Sequence, residues 1–248
     1  LLELMGGEEV ALLAGGAVTG AFDMFRQTND FYYLCGVEVP QAYLVLDGRD
    51  RRSRLYLPPR DEKLERSEGA VLSADDGEYA RQVTGVDEVA SYERLFESLT
   101  DVRSLWTPFL PGERRQQCRD VVAHAVKTRE TDPWDDWQSR EQLFAARIQK
   151  ELPDVALKDL CPLIDQLREV KSDVEVSLMR EAGKLTAEAV LAAMQATSPG
   201  IVEYQLVAHA ERIFADGGAG GGASNQGLGG CGASSLFVPG EVHGRCIL

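Results

Sequence analysis

Apolar positions in the first 155 residues fall in short runs. Residues 10–14, 31–34, 42–46 and 55–57 are brief and rich in aliphatic, aromatic or β-branched side chains, which predicts buried strands. Asp47-Gly48 and the charged residues 49–53 separate the last two, which predicts an antiparallel pair with a loop longer than a tight hairpin needs. Pro58-Pro59 closes the second of them. Residues 102–106 form a further strand candidate, stopped by Pro108 and Pro111-Gly112, while 113–129 and 134–151 read as helices. Strands mixed with helices in this way predict an α/β layered domain.

From about residue 157 the pattern changes. Leu167, Val170, Val174, Leu178, Ala182, Leu185, Ala189 and Ala193 recur at three- and four-residue spacing, one apolar stripe along a long helix. Ser172-Asp-Val-Glu175 is a capping box, in which the Ser hydroxyl and the Glu carboxylate each accept from an otherwise orphaned amide. Pro199-Gly200 ends this helix. A second helix carries Leu206, Ala210, Ile213 and Phe214 on one face and stops at Gly217-Gly218. Residues 217–240 then hold no charged side chain, and nine of the sixteen residues 217–232 are glycine, so this stretch is expected to be loop or disorder.

Composition narrows the function classes. The 248 residues are 44% hydrophobic and 27% charged, an ordinary globular balance. With 26 basic and 40 acidic residues, the net charge of −14 disfavours phosphate backbones and anionic lipid surfaces, so neither nucleic acid nor membrane is an expected partner. No run of ~18 apolar residues occurs, so no membrane-spanning helix is expected. Leu1-Leu2-Glu3-Leu4 lacks the basic start and apolar core of a signal peptide, and the absence of an initiator Met points to a fragment or a processed end. Cys35, Cys118, Cys161, Cys231 and Cys246 are odd in number and widely spaced, which favours a reducing compartment such as the cytoplasm over a disulfide framework.

Little in the spacing points to chemistry. The glycine run has no GK[ST] ending and no strand before it, so it does not read as a phosphate loop. With three histidines in all, a His-rich metal site is excluded; His124 and His209 fall on helices without a partner at ligating spacing, and His243 lies in the tail. Asp75-Asp76 and Asp135-Asp136 fit solvated turns or helix starts. Cys35, Cys118 and Cys161 read as small hydrophobes among apolar neighbours. No catalytic, cofactor-binding or metal-binding residue is assigned on these grounds.

Residues 25–46, from Phe25-Arg-Gln-Thr-Asn-Asp through Phe-Tyr-Tyr-Leu-Cys-Gly to Ala-Tyr-Leu-Val-Leu46, resemble the N-terminal domain of aminopeptidase P, the Xaa-Pro aminopeptidases of the creatinase/prolidase pita-bread family. Cys35 stands where the family usually has Thr. Leu55-Tyr-Leu-Pro-Pro-Arg-Asp61 is similar to its next strand and turn, Leu167-Arg-Glu-Val-Lys-Ser-Asp-Val-Glu175 to the opening of its catalytic domain, and Ser198-Pro-Gly-Ile-Val-Glu203 to the turn between the first catalytic helices. Residues 64–69 hold no aromatic side chain where members often place one beside a neighbouring active site.

The resemblance implies an α/β N-terminal domain over 1–158, a mixed sheet flanked by helices. A linker over 159–171 and the first helices of an incomplete α+β pita-bread domain over 172–248 would follow. It implies release of an N-terminal residue that precedes proline. A pair of divalent metals, usually manganese, would be held by two Asp, one His and two Glu and would activate a bridging hydroxide. Those ligand motifs have no counterpart here, so no metal is expected on this chain and no peptidase activity from it alone. Proline-containing peptides are the implied substrates and a homo-oligomer through the N-terminal domain the implied assembly. Prolidase is the alternative within the class; a non-catalytic N-domain that oligomerises or positions peptides is the alternative outside it. Residues 217–244, anomalous for the family, are expected to be a frameshifted stretch in a truncated enzyme. An exposed apolar face is expected on the helices over 172–216.

Overall fold

The computed structural model describes residues 1–19, 25–113 and 118–218. In chain order the elements are α1 (Leu2–Met5), β1 (Val10–Ala14), α2 (Asn29–Cys35), β2 (Tyr43–Asp47), β3 (Arg52–Leu57), α3 (Glu62–Glu68), α4 (Gly77–Thr84), β4 (Glu88–Ser91), β5 (Ser104–Thr107), α5 (Arg119–Glu130), α6 (Arg140–Glu151), β6 (Ala156–Asp159), α7 (Cys161–Glu169), α8 (Asp173–Ala196) and α9 (Glu203–Asp216). A 3₁₀ segment, Tyr92–Leu99, leads into β5. The described chain divides into two units, one built from Leu1–Arg114 and Val122–Glu169 and the other from 118–121 and 170–218.

The first unit is a mixed sheet in the order β4-β3-β2-β1-β5-β6. Strand β2 runs against β1 and β3, while β1, β5 and β6 are mutually parallel, as are β3 and β4. Successive side chains of a strand point to opposite faces. Ala11, Leu13, Leu44, Leu55 and Leu57 therefore pack on one side with Phe31 and Cys35 of α2, Ala80 of α4 and Ile164 of α7. Val10, Leu12, Val45, Tyr56 and Leu105 pack on the other with Leu95, Leu99 and Ile148 of α6. Burial on both faces is why β1 reads as an unbroken apolar run. The strands expected near 10–14, 42–46, 55–57 and 102–106 all form, and β2 and β3 are the expected antiparallel pair.

Three expectations are corrected. Residues 31–34 are helical: Phe31 and Cys35, four apart, both face the core, Tyr32 and Tyr33 are exposed, and Gly36 closes α2 with φ 67°. Aromatic β-propensity loses here to one-sided packing. The helix expected from 134 begins at Arg140, because the Asp132 and Asp135 side chains accept from the Trp134 and Trp137 amides in local turns and Ser139 provides the N-cap. The stripe from Leu167 is interrupted, α7 ending at Glu169 before the Ser172 capping box starts α8. Within the stretch expected to link two domains, Leu160 and Ile164 are fully buried in the first unit.

In the second unit α8 and α9 pack through Leu185, Ala189, Ala210, Ile213 and Phe214. Val174, Leu178, Leu191 and Met194 of α8 stay exposed, but at 3.6 residues per turn the first two lie on the opposite side of the helix from the last two, so they do not make the single apolar face expected. The glycine-rich stretch lies outside the described residues from position 219 onward.

Candidate functional site

The polar residues of the 25–30 stretch assemble where β1 ends. Gln27 is 3% exposed. Its Oε1 accepts from the amides of Gly16, at 2.5 Å, and Thr28, at 2.9 Å, and its Nε2 donates to the Val39 carbonyl at 3.1 Å. One side-chain amide thus satisfies three loop backbones that no ladder reaches. Gly15 is required beside it, since a β-carbon there would stand 2.8 Å from Gln27 Nε2 and 2.9 Å from the Ala42 carbonyl. From α6, Arg140 Nε donates to the Gly15 carbonyl at 2.8 Å.

The same stretch also meets the segment after β5 and the end of α7. The Asn29 amide and Nδ2 donate to the carbonyl and carboxylate of Glu113, at 3.0 and 3.1 Å. Arg168 at the end of α7 pairs with Asp30 at 2.6 Å and with Glu113 at 3.8 Å, and the Tyr33 hydroxyl donates to the Leu167 carbonyl at 3.3 Å. Two sequence motifs about 140 positions apart, around Asp30 and Arg168, therefore meet (the Arg168–Asp30 bond spans 138 residues).

A crevice opens at this place, at the carboxyl ends of parallel β1 and β5. The chain leaves β1 toward β2 and leaves β5 toward β6, on opposite sides, the kind of switch point where open α/β sheets receive ligands. Asp30, Phe31, Thr107, Arg140, Glu141 and Phe144 are among the residues lining a cavity of about 20 Å³.

Just before β1, Glu9 accepts from Ser104 Oγ at 2.9 Å and from Trp106 Nε1 and Lys158 Nζ, so one carboxylate ties the start of β1 to β5 and β6. Burial alone would push its pKa up, but these donors outweigh burial and hold it below the usual carboxylate range. Asp47, at the end of β2, accepts from Arg49 and Arg54. Burial again opposes ionisation there, and the Arg49 donors and the Arg54 charge overcome it.

None of these groups forms a nucleophile with its base. Burial pushes the Cys35 and Cys161 thiols up to about 12, so neither is a ready nucleophile. His124 and His209 are exposed on α5 and α9, and Cys118 is half-buried. Asp75 accepts from the Arg60 amide and Asp76 closes a capping box with Ser73, so this acidic pair serves a helix start. His243, Cys231 and Cys246 lie outside the described residues. Among the described residues no three His, Cys, Asp or Glu side chains converge to hold a metal ion, so these residues do not fit the dinuclear centre that the resemblance implies. Reading the sequence for chemistry passed over Gln27, Thr107, Arg140 and Arg168; the Arg-Gln-Thr-Asn-Asp run within the 25–46 motif was the signal for the first.

Residues 1–105 match the family described as aminopeptidase P, N-terminal domain. The chain carries an aminopeptidase P N-terminal domain. Similarity to curated proteins continues past it. The Xaa-Pro aminopeptidase of Escherichia coli is 26% identical over 210 residues, covering 82% of this chain and 44% of that protein. Xaa-Pro aminopeptidase 3 of Mus musculus is 30% identical over 197 residues, covering 75% of this chain and 34% of that protein. The chain thus spans less than half the length of these relatives. Among solved structures, proline aminopeptidase P II from Yersinia pestis superposes with a TM-score of 0.64 at 25% identity, over 88% of this chain and 48% of its own. Aminopeptidase P from E. coli, solved with the inhibitor Pro-Leu, shares the fold with a TM-score of 0.63 at 23% identity, over 88% of this chain and 47% of its own. The family match over residues 1–105 takes in β1 to β4 and the start of β5. Among the described residues no helix is long and apolar enough to cross a membrane.

Proposed function

We propose that this chain supplies the N-terminal domain and the opening helices of the catalytic domain of a metal-dependent Xaa-Pro aminopeptidase, which releases an N-terminal residue preceding proline. The observation that carries this reading is the reach of the similarity, which runs through both units and covers 75–82% of the chain in the E. coli and mouse relatives. The working division is 1–158 for the N-terminal domain, 159–171 for the connection and 172–248 for the start of the catalytic domain. In the full enzyme two divalent metals, manganese by preference, would polarise the scissile carbonyl and activate water. The residues described here would contribute no ligand to them; their role is to build and orient the scaffold. Substrates would be proline-containing peptides, and the assembly a homo-oligomer through the N-terminal domain. Among the described residues Cys35, Cys118 and Cys161 are free thiols, which agrees with a reducing compartment such as the cytoplasm.

Two measurements test the proposal. Incubated with manganese and an Xaa-Pro-containing peptide, the chain alone should release no amino acid; metal-dependent release would overturn the division of labour. Sequencing the gene through and beyond the codon for Leu248 should reveal a frame encoding the two Asp, one His and two Glu. An unshifted frame with an immediate stop would overturn the enzyme reading in favour of a non-catalytic module.

A further inference from the structure

We propose that β4 of one copy pairs antiparallel with β4 of a second copy, about a two-fold axis at Val89, so that two six-stranded sheets join into one. Pairing of this kind rests on the homo-oligomer reading above and gives it a surface. β4 is an edge of the sheet and pairs with β3 alone. Alternate residues of an edge strand turn their N–H and C=O groups away from the neighbour. Among the described residues no hydrogen bond reaches the backbone of Glu88–Ser91 from that outer side. Natural edges are blunted by Lys, Pro, bulges or a covering element. Glu88-Val-Ala-Ser91 holds no Lys or Pro and pairs residue for residue with β3, without a bulge. The open row of donors and acceptors is matched by another extended strand.

A second copy fits that edge. Two antiparallel strands related by a two-fold axis keep their side chains on matching faces only when the axis passes through a residue. With the axis at Val89, the two Val89 side chains meet on the α4 side of the sheet, and Glu88 meets Ala90 on the side of the 3₁₀ segment. An axis at Glu88 would oppose two carboxylates, and one at Ala90 would bring Asp87 toward Glu93, both unfavourable. The acidic balance of the chain is not concentrated here. Glu88 pairs with Arg54, Glu78 with Arg81 and Glu97 with Arg94, and Asp87 accepts from Ser53. Four residues make a short ladder, so apolar contacts beside it must add to it. α4 packs on β4, buries Ala80 in the core and leaves Tyr79 and Val83 exposed, one turn apart. The 3₁₀ segment buries Leu95 and Leu99 on the other face and leaves Tyr92 and Phe96 exposed. Elements on both faces of the edge thus carry exposed apolar side chains, which mark an association surface.

The test is sedimentation velocity of the full chain from about 1 to about 200 µM, with hydrogen exchange measured at both ends of that range. Wild type should pass from monomer to dimer, and alternate amides around Val89 should exchange more slowly in the dimer. Tyr92→Lys combined with Phe96→Lys, both at exposed positions, should weaken association at least about tenfold while leaving the tryptophan unfolding midpoint of the monomer unchanged. A dimer as strong in this variant as in wild type, or one without slower exchange around Val89, overturns the edge pairing and leaves the homo-oligomer reading standing. A wild-type chain that stays monomeric at the highest concentration overturns both. Should the double variant fail to fold, the concentration dependence of exchange at Glu88–Ser91 in wild type decides the matter by itself.

Discussion

Replacing Asp47 by Asn removes a charge from the place where the β2–β3 turn is tied down. The Asp47 side chain is 4% exposed and accepts from the Arg49 amide at 3.0 Å, Arg49 Nε at 2.9 Å, Arg49 Nη2 at 2.7 Å and Arg54 Nη1 at 3.2 Å. Arg49 in turn donates to the carbonyls of Thr100 and Ser98, so the carboxylate also orders the end of the 3₁₀ segment. Breaking a fully buried pair costs about 3–5 kcal/mol. Here the Arg49 side chain is 34% exposed and Arg54 keeps Asp50 and Glu88, so neither cation is stranded. The expected loss is therefore about 2–3 kcal/mol, or roughly 4–12 °C in Tm for a unit of this size. Trp106, Trp134 and Trp137 are the three tryptophans of the chain and all lie in the first unit, so tryptophan fluorescence during thermal or urea unfolding follows that unit alone. Glu3→Gln serves as the control, because Glu3 and Arg51 are 3.7 Å apart and both mostly exposed; its effect should stay within about 0.5 kcal/mol. The pH dependence has a definite sign. Because the folded carboxyl titrates below its ordinary 3.8, the wild-type advantage over Asp47→Asn is complete above that pH and shrinks as pH falls through the folded value. An Asp47→Asn shift no larger than that of Glu3→Gln, or an advantage that does not shrink in acid, would refute the reasoning.

Other outcomes follow from the same contacts. Glu9→Gln should cost about 1–2 kcal/mol at neutral pH, and the difference from wild type should fade as pH drops below the usual 4.5, read by the same fluorescence titration. Gln27→Leu leaves the Gly16 and Thr28 amides and the Val39 carbonyl without their buried partner, so a loss of about 2–4 kcal/mol is expected from urea midpoints. Ser172→Ala should cost about 1 kcal/mol of α8 stability, visible as faster hydrogen exchange at the Glu175 amide, which the Ser172 hydroxyl caps. In a Cys118→Ser, Cys231→Ser, Cys246→Ser background, Cys35 and Cys161 should resist a thiol reagent at pH 8 until urea unfolds the sheet; prompt native labelling would contradict their burial.

Much of the fold is legible before any coordinates, and the boundary of that legibility is physical. Alternation and burial on two faces write β1, β2, β3 and β5 directly into the order of residues, and local chemistry writes the Ser172 cap and the 3.6-residue stripe of α9. β4 and β6, four residues each, are too short for their periodicity to stand out. Whether residues 31–34 wind or extend depends on Phe31 and Cys35 reaching the same core, which is a non-local fact.

The amino-acid sequence by itself determined the family resemblance, the α/β class, the acidic balance and the places where helices start and stop, because each depends on neighbours a few positions apart. Only the tertiary structure decided that Gln27 joins three loops, that Asp30 meets Arg168, and that Thr107 ends β5 with its hydroxyl buried. The Gln27 pairings reach 11 and 12 positions away and the Asp30–Arg168 pair 138, and they come about only when the hydrophobic sheet brings its strand ends together.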